Sequence, residues 1–177
     1  MKEPNRSIYQ CAANWGIPFG LYLSCAAVAS IYADWFAPLG FIFILMFLGT
    51  PVLSYAFQRR KFIEDNGFTE YAGLWMLGIL LYILGSIISS FVVYLVLQYL
   101  RPGFLHEQAQ NLIDIYQQMP EMKDSQLLET LQTIVHNGLI PSPIEAVFNA
   151  FWFITSGGSL VSALTALIAQ RRLKKLR

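Results

Sequence analysis

Residues 72–100 read AGLWMLGILLYILGSIISSFVVYLVLQYL, twenty-nine consecutive positions without a charge. A helix rising about 1.5 Å per residue covers about 43 Å over that length, more than the roughly 30 Å of a bilayer's hydrocarbon layer. The stretch therefore reads as a membrane span. Arg59, Arg60 and Lys61 crowd its approach while the segment beyond it is acidic, so the same helix bears on which way the chain points.

Composition agrees. The 177-residue chain is 55% hydrophobic and 15% aromatic, and only 13% of it is charged, roughly half the share usual in soluble domains. Its formal net charge of +1 is the near-cancellation of charges that are segregated along the chain. Cys11 and Cys25 both fall in or beside the first apolar stretch, which argues against a disulfide scaffold and against a metal cluster.

Upstream of the quoted run, Phe62 to Tyr71 carries Glu64, Asp65, Glu70 and an Asn66-Gly67 turn signal, as a short surface segment would. Before it, Arg59-Arg60-Lys61 is expected to stop a second span at residues 38–58, and a brief turn at Asp34-Trp35-Phe36 joins that span antiparallel to a first one at 11–33. Lys2 and Arg6 ahead of an apolar run, with Ala27-Val28-Ala29 as a cleavage site, also describe a secretory signal. The run outlasts the roughly 7–15 residues of a signal core, so a retained anchor is the better reading.

Downstream, Arg101-Pro102-Gly103 ends the helix, because proline cannot continue the hydrogen-bond ladder and glycine suits a C-terminal cap. An insert at about 104–140 then carries two apolar faces at helical spacing: Leu105, Ala109, Leu112, Ile113 and Tyr116, then Leu127, Leu128, Leu131, Ile134 and Val135. Pro120 separates them, and Asp124 or Ser125 suits an N-cap for the second. A fourth span at 144–169 precedes the basic tail Arg171, Arg172, Lys174, Lys175 and Arg177. The fold class expected is all-α: an integral-membrane four-helix bundle forming a single membrane domain, with an extracytoplasmic two-helix insert between the third and fourth spans.

Lys2, Arg6, Arg59, Arg60, Lys61 and the five basic residues of the tail fall on one side of these spans, leaving only Arg101 and Lys123 on the other. By the positive-inside rule both termini are cytoplasmic. Trp15 and Trp75 then lie near inner span ends and Trp35 and Trp152 toward outer ones, as interfacial anchors would.

Small residues recur every fourth position: Gly16, Gly20 and Ser24 in the first span, Gly85 and Ser89 in the third, Gly158, Ser162 and Ala166 in the fourth. In lipid such stripes let backbones approach, either within one bundle or across a dimer. Pro18 and Pro51 sit inside spans and could frame a mid-membrane cleft. Ion-coupled transport is disfavoured, because no ionisable residue lies deep in a span; Asn14 and Asn149 there suit interhelical hydrogen bonds. His106, Glu107 and His136 lack the spacing of a zinc-protease helix and read as a solvated face. No catalytic, metal or cofactor-binding residue is assigned, and no cofactor or nucleic-acid partner is expected. The basic tail would be drawn to anionic lipid.

Several short motifs are similar to those of a known family. They are Arg60-Lys61 through Asn66-Gly67-Phe68 and Tyr71, the Pro102 and Phe104-Leu105 exit, and Gly157-Gly158-Ser159 through Ser162 to Ala169 and Arg171-Arg172. With these the chain resembles the bacterial membrane proteins grouped as domain-of-unknown-function family 4199, departing from the pattern at Arg101, where an Asp is expected. The resemblance implies a four-span inner-membrane protein of a Gram-negative bacterium with no established activity, whose partners include polyprenyl-phosphate glycosyltransferase-type machinery. The function expected is a non-catalytic accessory or scaffold protein, with Leu127, Leu128, Leu131, Ile134 and Val135 as a partner surface unless that face lies on the membrane or on the bundle ends. Its partners would be membrane lipids, a second copy, or an envelope protein. The alternative is a small transporter or channel for a lipid-linked or apolar substrate, working as a dimer; a membrane enzyme ranks third.

Overall fold

The computed structural model describes residues 7–118, 133, 135, 138 and 140–171. Among these, all regular structure is helical and no strand forms. Helix α1 spans Ile8–Ile31, α2 Ala37–Glu64, α3 Tyr71–Leu95 with a wider-turned continuation Val96–Leu100, α4 Phe104–Gln118 and α5 Pro143–Arg171. Four of them (α1, α2, α3 with its continuation, and α5) are long and apolar enough to cross a membrane, so the chain is a multi-pass membrane protein.

Local chemistry sets the ends. Ser7 caps α1: its Oγ accepts from the Gln10 N–H at 3.3 Å while Gln10 Oε1 accepts from the Ser7 N–H at 3.1 Å, a reciprocal capping box. The helix thus starts three residues before the uncharged run. A larger departure from expectation lies in α2. Arg59-Arg60-Lys61 do not stop it, and it runs on to Glu64. Charge ends a span but not a helix, since the emerging turns pair Arg60 with Glu64 at 3.0 Å and Lys61 with Asp65 at 2.9 Å, each four residues apart on one face.

What ends α2 is Asn66-Gly67. Both residues are left-handed, at φ 54° and 82°, and the Gly67 N–H reaches Phe62 O at 2.9 Å while the Asn66 N–H reaches Ile63 O at 3.0 Å. That is the double bond pattern of a Schellman cap. The far end of α3 widens until the Arg101 N–H bonds Val96 O at 2.8 Å, and the helix stops there, at the Arg101-Pro102-Gly103 exit.

The chain forms two compact units, Met1–Val93 with Asn149–Arg177, and Tyr94–Phe148. In the first, Cys11, Ala12, Trp15 and Phe19 of α1 bury against Leu77, Leu81 and Tyr82 of α3. Trp15 stacks on Phe57 of α2 with ring centroids 5.5 Å apart, and Phe19 meets Tyr82 edge-on at 5.1 Å. Trp15 is therefore a core residue and not the interfacial anchor expected of it. A second cluster joins Phe62, Leu74, Ala166 and Ala169. The faces turned away from these clusters stay apolar: Phe41, Leu45 and Leu48 of α2 and Phe153, Leu160 and Leu164 of α5 are exposed, as a protein with lipid for solvent requires.

In the second unit α4 buries none of its residues. Arg101, 5% exposed, donates from Nη2 to Glu107 Oε2 at 2.7 Å and lies 5.0 Å over the Phe104 ring. Glu145 accepts from the Ser142 N–H and hydroxyl, both at 2.9 Å, at the start of α5. The expected second insert helix, with Leu127, Leu128, Leu131 and Ile134, lies outside the described residues; Val135 is helical and half-buried.

Candidate functional site

The interior of the first unit is polar along one seam. On α2, Ser54, Gln58 and Lys61 recur at steps of four and three, and all three are buried, as are Ser162 and Thr165 of α5. Gln58 is the centre. Fully buried at 0% exposure, its Nε2 donates to Leu74 O of α3 at 3.2 Å, Ser162 O at 3.2 Å and Ser162 Oγ at 2.9 Å. The two carbonyls dictate which end of the amide faces them, since only the NH₂ group can donate. One amide thereby ties three helices together.

The close approach needs a glycine. A Cβ on Gly78 of α3 would run into Ser162 Oγ and lie 2.5 Å from Gln58 Nε2. Ser162 in turn donates to Trp75 O at 3.1 Å, Trp75 Nε1 to Ser159 O at 3.1 Å, and Ser86 shares a 3.1 Å bond with Thr155. At the end of the seam, Lys61, 3% exposed, holds Asp65, which also accepts from the Thr69 hydroxyl. Arg60 lies 5.4 Å over the Trp15 ring.

The four glycines singled out by spacing each have a definite neighbour. A Cβ on Gly16 would come within 3.0 Å of Leu84 Cβ, on Gly20 within 2.8 Å of Ile88 Cβ, on Gly85 within 2.7 Å of Phe19 Cδ1, and on Gly158 it would strike the Tyr82 ring. Ser24 donates to Gly20 O at 2.8 Å. Ser89 and Ala166 are buried.

The amides behave otherwise than expected. Asn14 and Asn149 are exposed and make no interhelical hydrogen bond among the described residues, and the bridging amide is Gln58. It stands at the last position assigned to the second span, with no role of its own expected there from the sequence. Ser54, Gln58 and Ser162 do carry a readable signal: polar residues at a four-residue step in one span, opposite a hydroxyl in another. His106 meets Gln110 at 3.0 Å and Glu107 serves Arg101, while His136 lies outside the described residues. Among the described residues no group of three metal-ligating side chains forms.

This arrangement can hold helices in register and can offer polar atoms to a ligand entering between them; it places no nucleophile beside a base. Gln58 Oε1, Tyr55 Oη and Arg59 Nη1 are buried and without a hydrogen-bond partner among the described residues. No curated protein and no solved structure matches the chain. The profile of one family, described as a protein of unknown function, DUF4199, matches residues 14–171. This match over most of the sequence places the chain, with its four long apolar helices, in the DUF4199 family.

Proposed function

We propose that the protein is a non-catalytic accessory or scaffold protein of the inner membrane of a Gram-negative bacterium, with both termini in the cytoplasm and α4 outside. The observation that carries this reading is α4. Its apolar residues Leu105, Ala109, Leu112, Ile113 and Tyr116 recur at helical spacing and none is fully buried: Leu112 is 44% exposed and the other four are half-buried, while Ile115 on the adjoining side is 50% exposed. A helix outside the spans whose apolar face is only half covered is suited to receive another protein. The apolar positions Leu127, Leu128, Leu131, Ile134 and Val135, at helical spacing in the sequence, are the second half of the proposed partner surface. Its partners are membrane lipids, a second copy, or an envelope protein of the polyprenyl-phosphate glycosyltransferase type, and not nucleic acid.

The small residues Gly16, Gly20, Ser24, Gly85, Ser89, Gly158, Ser162 and Ala166 serve close packing within one chain. The side chains that already fill the space beside the four glycines support this.

A pull-down in mild detergent tests the main reading. The wild-type chain should retain an envelope protein, and Leu112→Asp with Ile115→Asp should release it; isolation as a lone species would count against it. One observation favours the second reading, a dimeric carrier for a lipid-linked or apolar substrate. No residue of α2 before Ser54 is buried, although Phe41, Phe47 and Leu48 lie there, which leaves that half of the helix free to line a cleft with a second copy. Solute flux in reconstituted vesicles would support it, and absence of flux across a broad panel would retire it.

A further inference from the structure

We propose that Tyr55 and Arg59 form a binding site for a phosphate group, supplied by the head group of a membrane lipid. Three observations on α2 converge on it. First, Tyr55 Oη and Arg59 Nη1 are both buried and meet no hydrogen-bond partner among the described residues. Second, the two residues are four apart, so their side chains rise from adjacent turns on one face, about 5–6 Å apart at Cβ. Third, the neighbouring cations are already engaged: Arg60 pairs with Glu64 and Lys61 with Asp65. Arg59 is the cation of this triplet whose buried nitrogen is left over.

The chemistry of the missing partner follows. A guanidinium can only donate, and a phenol offers its proton. Two buried donors one helical turn apart, one of them charged, call for an anionic acceptor with more than one oxygen. The guanidinium fork matches phosphate geometry in particular. Position selects the source. Arg59 follows directly on the uncharged run 38–58, at the depth where lipid phosphates lie beside a span end. The Tyr55 ring packs on the cluster of Phe62, Leu74, Ala166 and Ala169, so the hydroxyl is held in place before any lipid arrives. The site rests on α2 being a membrane span and not on the accessory role, so a missing protein partner would leave it standing.

Native mass spectrometry of the full-length chain in mild detergent, titrated with dioleoyl phosphatidic acid, tests this. Wild type should retain the lipid and should not retain dioleoylglycerol, which has the same tails and no phosphate. Arg59→Gln should weaken retention about tenfold and Tyr55→Phe about threefold, in line with losing a charged and a neutral hydrogen bond. Arg60→Gln removes the same charge one residue away and should change it less than about twofold. Equal losses in Arg59→Gln and Arg60→Gln, or retention of dioleoylglycerol as strong as that of phosphatidic acid, would overturn the site. Should Arg59→Gln fail to fold, Tyr55→Phe, which deletes one hydroxyl, reads the site independently: unchanged retention overturns it. Millimolar inorganic phosphate separates the sources. Failure to displace the lipid supports a head group as occupant, and full displacement overturns the lipid assignment in favour of free phosphate.

Discussion

Gln58 shows how much a single amide does in an apolar interior. Its three contacts with α3 and α5 are made where no water competes, so Gln58→Leu should destabilise the protein by about 1–2 kcal/mol. Reversible unfolding in mixed micelles would read this, and a change below about 0.5 kcal/mol would mean that the seam is hydrated instead. Gly157 and Gly158 make a sharper pair. Nothing lies within 4 Å of a Cβ built on Gly157, whereas one on Gly158 overlaps the Tyr82 ring. Gly158→Ala should therefore cost about 1–3 kcal/mol by overpacking, and Gly157→Ala should stay within about 0.5 kcal/mol of wild type. Identical costs at the two positions would show that α5 faces α3 differently.

At the scale of the element, α2 joins two environments in one rod. Its first half buries nothing, and its second half presents Ser54, Gln58, Lys61 and Phe62 to the interior. Charge did not end it because the emerging side chains pair along the helix; the left-handed Asn66 and Gly67 did. Lys61 at 3% and Asp65 at 11% exposure form the most buried of these pairs. Lys61→Met would leave Asp65 with the Thr69 hydroxyl as its remaining named side-chain partner, and should cost about 3 kcal/mol in the same unfolding assay. Adding Asp65→Asn to Lys61→Met should recover part of that loss, because the stranded charge is then gone. A double variant as unstable as the sum of its parts would place the cost in packing rather than in charge.

On the scale of the whole molecule, a polar seam in the first unit runs beside apolar core clusters and that unit's outward faces are apolar as well, where a soluble fold would turn polar side chains outward. Orientation in the bilayer is the prediction proper to this scale. In a chain with both native cysteines replaced, Trp35→Cys in the α1–α2 turn and Phe68→Cys in the α2–α3 turn sit on opposite sides. Both positions are well exposed, at 71% and 83%. A membrane-impermeant maleimide applied to intact spheroplasts should label Trp35→Cys and spare Phe68→Cys until the membrane is permeabilised. The opposite pattern would invert the topology.

Periodicity and charge alone decided that the chain is helical and carries four membrane-length apolar runs, because a bilayer demands long uncharged helices whatever their neighbours. The same signals located the exit at Arg101-Pro102-Gly103 and the turn at Asn66-Gly67, since proline and left-handed residues act locally. Tertiary structure alone decided what the polar residues in those helices do. Asn14 and Gln58 are both amides within apolar stretches, and nothing in either stretch says that Gln58 would find Ser162, a hundred and four residues away, while Asn14 would stay exposed. Which side of a helix meets another is a property of the pair, and a single chain of letters records only one member of it at a time.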